Sequence, residues 1–212
     1  NDTVCLFQNQ GNGVFTDVTL KSGLGVETRF VNWGAVMADF DNDGLPDLFW
    51  VTGSVFPEVE KVLPAYAHRT PRVLFRNLGN GKFEELLKEP GPGILAAHCS
   101  RGVAAGDFDN DGDIDLLISN MNEPPTLLRN DVSGDAHWLK VKLVGVESNR
   151  SAIGSRVTAR YGGKLQVQEV LAQSGFLSCP DKRLHFELGN AKTADLKIRW
   201  PSGRKEKVPG VE

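Results

Sequence analysis

Two aspartate-rich segments, 68 residues apart, govern what this chain can become. Asp39-Phe40-Asp41-Asn42-Asp43-Gly44-Leu45-Pro46-Asp47-Leu48 recurs as Asp107-Phe108-Asp109-Asn110-Asp111-Gly112-Asp113-Ile114-Asp115-Leu116, with 8 of 10 positions identical. A second segment keeps the same offset. Leu6-Phe7-Gln8-Asn9-Gln10-Gly11-Asn12-Gly13-Val14-Phe15 returns as Leu74-Phe75-Arg76-Asn77-Leu78-Gly79-Asn80-Gly81-Lys82-Phe83, with 7 of 10 identical. Two separated matches at one spacing mark an internal structural repeat. A third copy opens at Leu127-Leu128-Arg129-Asn130 and goes no further.

The repeat unit reads as short strands. Ala35 to Ala38 and Val103 to Ala105 are apolar runs entering the Asp clusters, and Leu48-Phe49-Trp50-Val51 and Leu116-Leu117-Ile118 leave them. These runs are too short and too closely flanked by Gly and Asp for helices. Asn12-Gly13 and Asn80-Gly81 sit between further strand-like runs, a strong hairpin signal. One period then holds four antiparallel strands, the content of a propeller blade. The insertion 54–71 carries Pro57, Pro64 and Pro71, and Glu58 to Leu63 allows one helical turn. One complete blade, at about 34–101, and two partial ones are expected. A lone blade leaves its faces and edges uncovered, so the chain is expected to be a fragment whose partners include the missing blades of a parent chain.

Charge divides the sequence. Of 212 residues, 1–135 hold 10 Lys/Arg against 20 Asp/Glu, whereas 136–212 hold 14 against 7. The change places a domain boundary between residues 1–131 and 132–212. The acidic part argues against nucleic-acid binding, and the basic part reads as a solvated face. No apolar run approaches a membrane span. The C-terminal part also reads as strands: Leu139, Val141 and Leu143 alternate with Lys140, Lys142 and Val144. Val157 to Tyr161 and Leu165 to Val170 flank Gly162-Gly163, and Leu196 to Trp200 alternates before Pro201-Ser202-Gly203. The expected fold class is all-β, a partial β-propeller of four-stranded antiparallel blades plus a small β-sandwich or barrel.

The pattern D-x-D-x-D-G-x-x-D puts carboxylates at loop positions 1, 3, 5 and 9, with glycine allowing the sharp turn. An EF-hand would need Glu at position 12, where Trp50 and Ile118 stand. Nine of the chain's 15 Asp residues fall in the two ten-residue windows, and carboxylates so crowded repel one another without a cation. All-oxygen ligation selects calcium over zinc. Two Ca²⁺ ions are expected, one held by Asp39, Asp41, Asp43, Leu45 and Asp47, the other by Asp107, Asp109, Asp111, Asp113 and Asp115. Leu45 can offer only its backbone carbonyl. The same scheme in the second loop has Asp113 ligate through its carbonyl while its side chain faces solvent.

These loops and their following strands resemble FG-GAP/VCBS repeats, the calcium-bearing blades of integrin-like β-propellers. The basic part resembles the ASPIC/UnbV domain at the C-terminus of the cartilage-acidic-protein-like family. That second resemblance rests on His137-Trp138-Leu139-Lys140-Val141, on Ser148 to Val157, on Arg183-Leu184-His185-Phe186-Glu187-Leu188-Gly189 and on Arg199-Trp200-Pro201-Ser202-Gly203. The resemblance implies an extracellular, cell-surface or periplasmic protein with mainly structural calcium. Some members of the family occur in natural-product pathways.

No G-x-S-x-G, H-E-x-x-H, phosphate-binding glycine loop or dinucleotide fingerprint occurs. His185 lies between Leu184 and Phe186 and reads as a packed or hydrogen-bonded histidine. Trp33, Trp50, Trp138 and Trp200 read as core or blade-packing residues. Cys5, Cys99 and Cys179 form no metal spacing. The leading reading is a calcium-binding, non-catalytic extracellular binding or adhesion module for an unidentified protein or glycan ligand. The alternative is part of a natural-product biosynthesis enzyme or accessory protein, with its chemistry in a cleft between propeller and C-terminal domain.

Overall fold

The apolar runs on either side of each Asp cluster form paired strands, as their length and flanking residues require. The computed structural model describes residues 4–26, 28–88, 90–132, 134 and 136–212. β1 (Phe7–Gly11) and β2 (Val14–Asp17) make an antiparallel hairpin. Asn12 and Gly13 at its tip have φ of 52° and 77°, the left-handed pair that a two-residue hairpin turn demands. A turn of helix, α1 (Thr19–Ser22), follows.

β3 (Asn32–Ala38), β4 (Asp47–Thr52), β5 (Val73–Gly79) and β6 (Lys82–Glu85) form a four-stranded antiparallel sheet in sequential order. Asn80 and Gly81 close its last hairpin with φ of 53° and 70°. The insertion between β4 and β5 contains the expected single helical turn, α2 (Val59–Val62). After α3 (Pro92–Leu95), the repeat restarts as β7 (Ser100–Gly106), β8 (Asp115–Asn120) and β9 (Thr126–Leu128), a three-stranded sheet.

β4 is covered on both faces, which is why Leu48 to Val51 shows no polar alternation. Phe49 and Val51 point into a core shared by the two repeats, with Val36, Val103, Leu116 and Ile118. Trp50 points the other way and stacks on Phe75, with ring centroids 5.2 Å apart, beside Leu24 and Val73. Deleting a ring as buried as Phe49 typically costs about 3–5 kcal/mol. A buried arginine also joins the repeats: Arg101 donates to the carbonyls of Ser54 and Ser100 and lies 4.3 Å from the centre of the Trp33 ring.

The basic part contributes β10 (His137–Val141), β11 (Arg156–Tyr161), β12 (Lys164–Glu169), β13 (Leu184–Gly189), β14 (Ala194–Arg199) and β15 (Lys205–Val211). β12-β11-β14-β15 is one antiparallel sheet and β10-β13 another. Gly162 and Gly163, with φ of 50° and 80°, turn β11 into β12. Leu139, Phe186 and Leu188 of one sheet bury against Val157, Ala159, Leu196 and Ile198 of the other. This is the sandwich alternative. Among the described residues no sheet closes into a barrel.

The segment between β12 and β13 runs along the repeats. The Val103 amide donates to Ser178 Oγ (2.8 Å), the Asp181 amide to the Ala105 carbonyl (3.2 Å), and the Phe176 ring lies 5.1 Å from that of Trp33. These contacts bring β10 and β13 up to the β3–β4 and β7–β8 connections. Those connections are the two Asp segments.

Candidate metal centre

Each Asp segment folds around its own backbone, and the two do so in closely similar ways. Position 1 caps the turn: Asp39 accepts the amides of Asp43 and Gly44, and Asp107 accepts those of Asn110 and Gly112. Position 9 closes it. The Asp47 carboxylate takes the amides of Phe40 (3.1 Å) and Asn77 (2.7 Å), and that of Asp115 takes those of Phe108 (2.9 Å) and Asn130 (2.9 Å). The truncated third copy, Leu127 to Asn130, is thus used: its asparagine replaces Asn77. Positions 4 and 6 are left-handed in both loops, with φ of 59° and 90° at Asn42 and Gly44 and of 63° and 104° at Asn110 and Gly112. Asparagine and glycine are the residues that enter this region at least cost.

That winding gathers some of the expected ligands and not others. Ligand atoms of Asp39, Asp41 and Asp43 all lie within 4.8 Å of one another, as do those of Asp107, Asp109 and Asp115. Two oxygens bound to one Ca²⁺ at 2.3–2.6 Å cannot be more than about 5 Å apart, so both trios are compatible with a shared ion. Asp47, Asp111 and Asp113 fall outside these trios, and Leu45 is partly exposed. Asp47 holds the loop shut through two amides, while Asp111 accepts the Asp113 amide at 3.0 Å.

The Asp113 side chain does not face solvent as expected. It is buried, and its Oδ1 accepts a hydrogen bond from Asn42 Nδ2 of the first loop at 2.7 Å. The sequence comparison treated the loops as separate copies, whereas the packed repeats set position 4 of one against position 7 of the other. Asn130 Nδ2 adds a second link, donating to the Phe40 carbonyl at 2.8 Å.

Electrostatics mark the first loop as short of positive charge. Burial pushes the Asp39 carboxyl up to about 7 against the Gly44 hydrogen bond, with repulsion from Asp43, Glu187 and Asp41 adding to it. Burial likewise raises Asp47 to about 6. Asp41 Oδ1 is buried without a hydrogen-bond partner, an arrangement that costs stability unless a cation supplies the contact. Hard oxygens in this number and spacing fit calcium. In the second loop burial raises Asp113 and Asp115. Asp107 goes the other way: burial would raise it, but hydrogen bonding and charge from Lys140 and the amides of Asn110 and Gly112 hold it below the usual carboxylate range.

The sequence reading missed this clamp on the second loop. Lys140 Nζ lies 2.6 Å from Asp107 Oδ2 and 2.9 Å from Asn110 Oδ1. Arg183 reaches the Asp107 carbonyl and Asn110 Oδ1, both at 3.1 Å. Trp138 covers Gly112 so closely that an added Cβ would stand 2.2 Å from the ring. It therefore seals a loop, whereas the expected place in a core falls to Trp33, Trp50 and Trp200. The alternation of Leu139 and Val141 around Lys140 was the one available signal, and it marks Lys140 only as outward-facing.

Between the loops and β12–β13 lies a cleft of about 590 Å³, bordered by Asp39, Asp107, Lys140, Arg183, His185 and Glu187. His185 Nε2 hydrogen-bonds Glu187 and its ring stacks on Trp138, as expected of a packed histidine. His185 Nδ1 and Glu187 Oε2 are buried without hydrogen-bond partners.

Repeated Asp-loop sheets followed by a basic β-sandwich define a class. The FG-GAP-like repeat family matches residues 1–50 and 65–118, and the ASPIC and UnbV family matches residues 145–212. The chain carries FG-GAP-like repeats joined to an ASPIC/UnbV domain. It is similar to cartilage acidic protein 1 of Mus musculus and of Xenopus tropicalis, at 25% identity over 94% of this chain in each case. It is 28% identical to the Homo sapiens protein of that name over 80% of this chain. The chain spans 38% of the length of the mouse and frog proteins and 25% of the human one. Among the described residues no helix is long and apolar enough to cross a membrane.

Proposed function

We propose that the chain is a calcium-stabilised, non-catalytic module of an extracellular, cell-surface or periplasmic protein, built to present a binding or adhesion surface to a protein or glycan. The observation that carries the calcium reading is the first loop, where three carboxylates converge and Asp41 Oδ1 is buried without a partner. Asp39, Asp41 and Asp43 would hold the ion with the Leu45 carbonyl. Asp107, Asp109 and Asp115 would hold a second. Calcium supplies the positive charge that lets these carboxylates stay ionised side by side. The ion fixes each loop between two strands of its sheet, so its role is to stiffen the repeat. The similarity to cartilage acidic protein 1 supports the extracellular setting and the adhesion role.

Crystals of the chain grown in millimolar calcium test this reading. Density at the centre of Asp39, Asp41 and Asp43, with oxygen ligands at about 2.3–2.6 Å, is the expected result. Absence of an ion from both loops overturns it.

The cleft favours a second reading, binding of a small molecule between the repeats and the ASPIC/UnbV domain, with His185 and Glu187 offering their unpartnered atoms. Small-molecule sites favour such concave junctions with few polar groups. Shifts of the His185 ring resonances on adding a fragment mixture would support it.

A further inference from the structure

The two Asp loops are copies in sequence, yet β10 and β13 meet them with opposite charge. At the second loop the facing group is an ammonium. Lys140 Nζ contacts Asp107 Oδ2 at 2.6 Å, Asn110 Oδ1 at 2.9 Å and the Asp107 carbonyl at 3.4 Å. The Asp107 side chain is fully buried and that of Lys140 is 11% exposed, so this pair is largely out of water. Arg183 adds a second cation on the same carbonyl and the same asparagine. At the first loop the facing group is a carboxylate: Glu187, with Oε2 unpartnered, lines the same cleft as Asp39.

The first loop has a cation of its own, but an exposed one: Arg76, its side chain 45% exposed, pairs with Asp41 at 3.0 Å. The arginine of the second repeat, Arg129, pairs with Asp131 and acts on Asp109 and Asp111 only at longer range. Lys164 Nζ also approaches the first loop, 3.4 Å from where a Gly44 Cβ would stand, but among the described residues it forms no ion pair with its carboxylates.

We propose that Lys140 is a built-in counter-cation for the second loop, so that calcium fills the Asp39 loop first and enters the Asp107 loop in competition with the Lys140 ammonium. The inference rests on the calcium reading above and adds an order of filling. The Lys140 ammonium already neutralises the Asp107 carboxylate, so an ion entering the second loop competes with a largely buried, hydrogen-bonded pair and is repelled by its positive charge. Coupling is reciprocal: whatever the Lys140 contact costs calcium, calcium costs the Lys140 contact. Filling of the second loop therefore loosens the grip of the ASPIC/UnbV domain on the repeats.

Calorimetric titration of the full chain with calcium chloride tests this. The wild type is expected to show one tight and one weaker site. Asp41→Ala removes the tight one and Asp109→Ala the weak one. Lys140→Met should tighten the weak site on the order of tenfold, within the range usual for coupled ligands, and leave the tight site unchanged. Lys142→Met removes an exposed lysine of the same charge and should shift the weak site far less. Arg183→Met, which removes the second cation, should act like Lys140→Met but more weakly, and serves if Lys140→Met fails to fold. Two equal sites in the wild type, or equal effects of Lys140→Met and Lys142→Met, overturn the proposal. Absence of calcium binding in the wild type and every variant overturns the calcium reading itself, which separates the two failures.

Discussion

At the scale of single residues, position in the loop decides what an aspartate does. Position 1 turns the chain, position 9 ties it to the next strand, and position 3 of the first loop keeps a buried oxygen without a hydrogen-bond partner, Asp41 Oδ1. Asp113 shows how far packing overrides a repeat. Its carboxylate is spent on Asn42 across the loops, and burial with repulsion from Asp111 and Asp107 holds its pKa up despite that bond. Asp113→Ala removes the acceptor and leaves Asn42 Nδ2 unsatisfied, a loss of about 1–3 kcal/mol. Asp113→Asn keeps an acceptor oxygen and removes the repulsive charge, so at neutral pH it should equal or exceed the wild type. Urea unfolding of the two variants in EGTA checks the contrast. If both lose stability equally, the Asn42 bond is not what holds the site.

Among the elements, those whose signals are local were legible. The Asn-Gly and Gly-Gly turns, the strands beside the Asp clusters and the α2 turn all lie where composition put them, because each depends on a few adjacent residues. β15 was not legible. Lys205-Glu206-Lys207 precedes Pro209 and Gly210 there, and its pairing with β14 follows from an edge position that only tertiary structure creates. The Lys140 clamp was illegible for the same reason, since its partner is 33 residues away in the β7–β8 connection. The ASPIC/UnbV sheets own a core drawn from β10, β11, β13 and β14. Residues 132–212 expressed alone should therefore fold with cooperative melting that calcium does not change. A calcium-dependent or absent transition would place the true folding unit across the repeat interface.

For the whole molecule, the account makes stability depend on a cation and on pH together. Without metal, Asp39 and Asp47 have folded pKa values of about 7 and about 6, against an ordinary 3.8. A carboxyl raised by folding contributes stability that is complete below its unfolded pKa and is lost as the pH climbs through its folded one. These two groups set a window from about pH 4 to 7 in which the metal-free chain weakens as pH rises. Asp107 and Asp181 are lowered and act in the opposite sense, losing their contribution only as the pH falls below the ordinary carboxylate range. In the proposed function calcium would bind the ionised loop and compete with the proton, and a ligand at a hundred times its Kd adds about 2.7 kcal/mol per site. Thermal melts of the full chain from pH 5 to 8, in EGTA and in millimolar calcium, test the central claim most directly. The account predicts a midpoint that falls with pH in EGTA and does not fall in calcium, so that the two curves separate most at pH 8. Coincident curves across that range would contradict it.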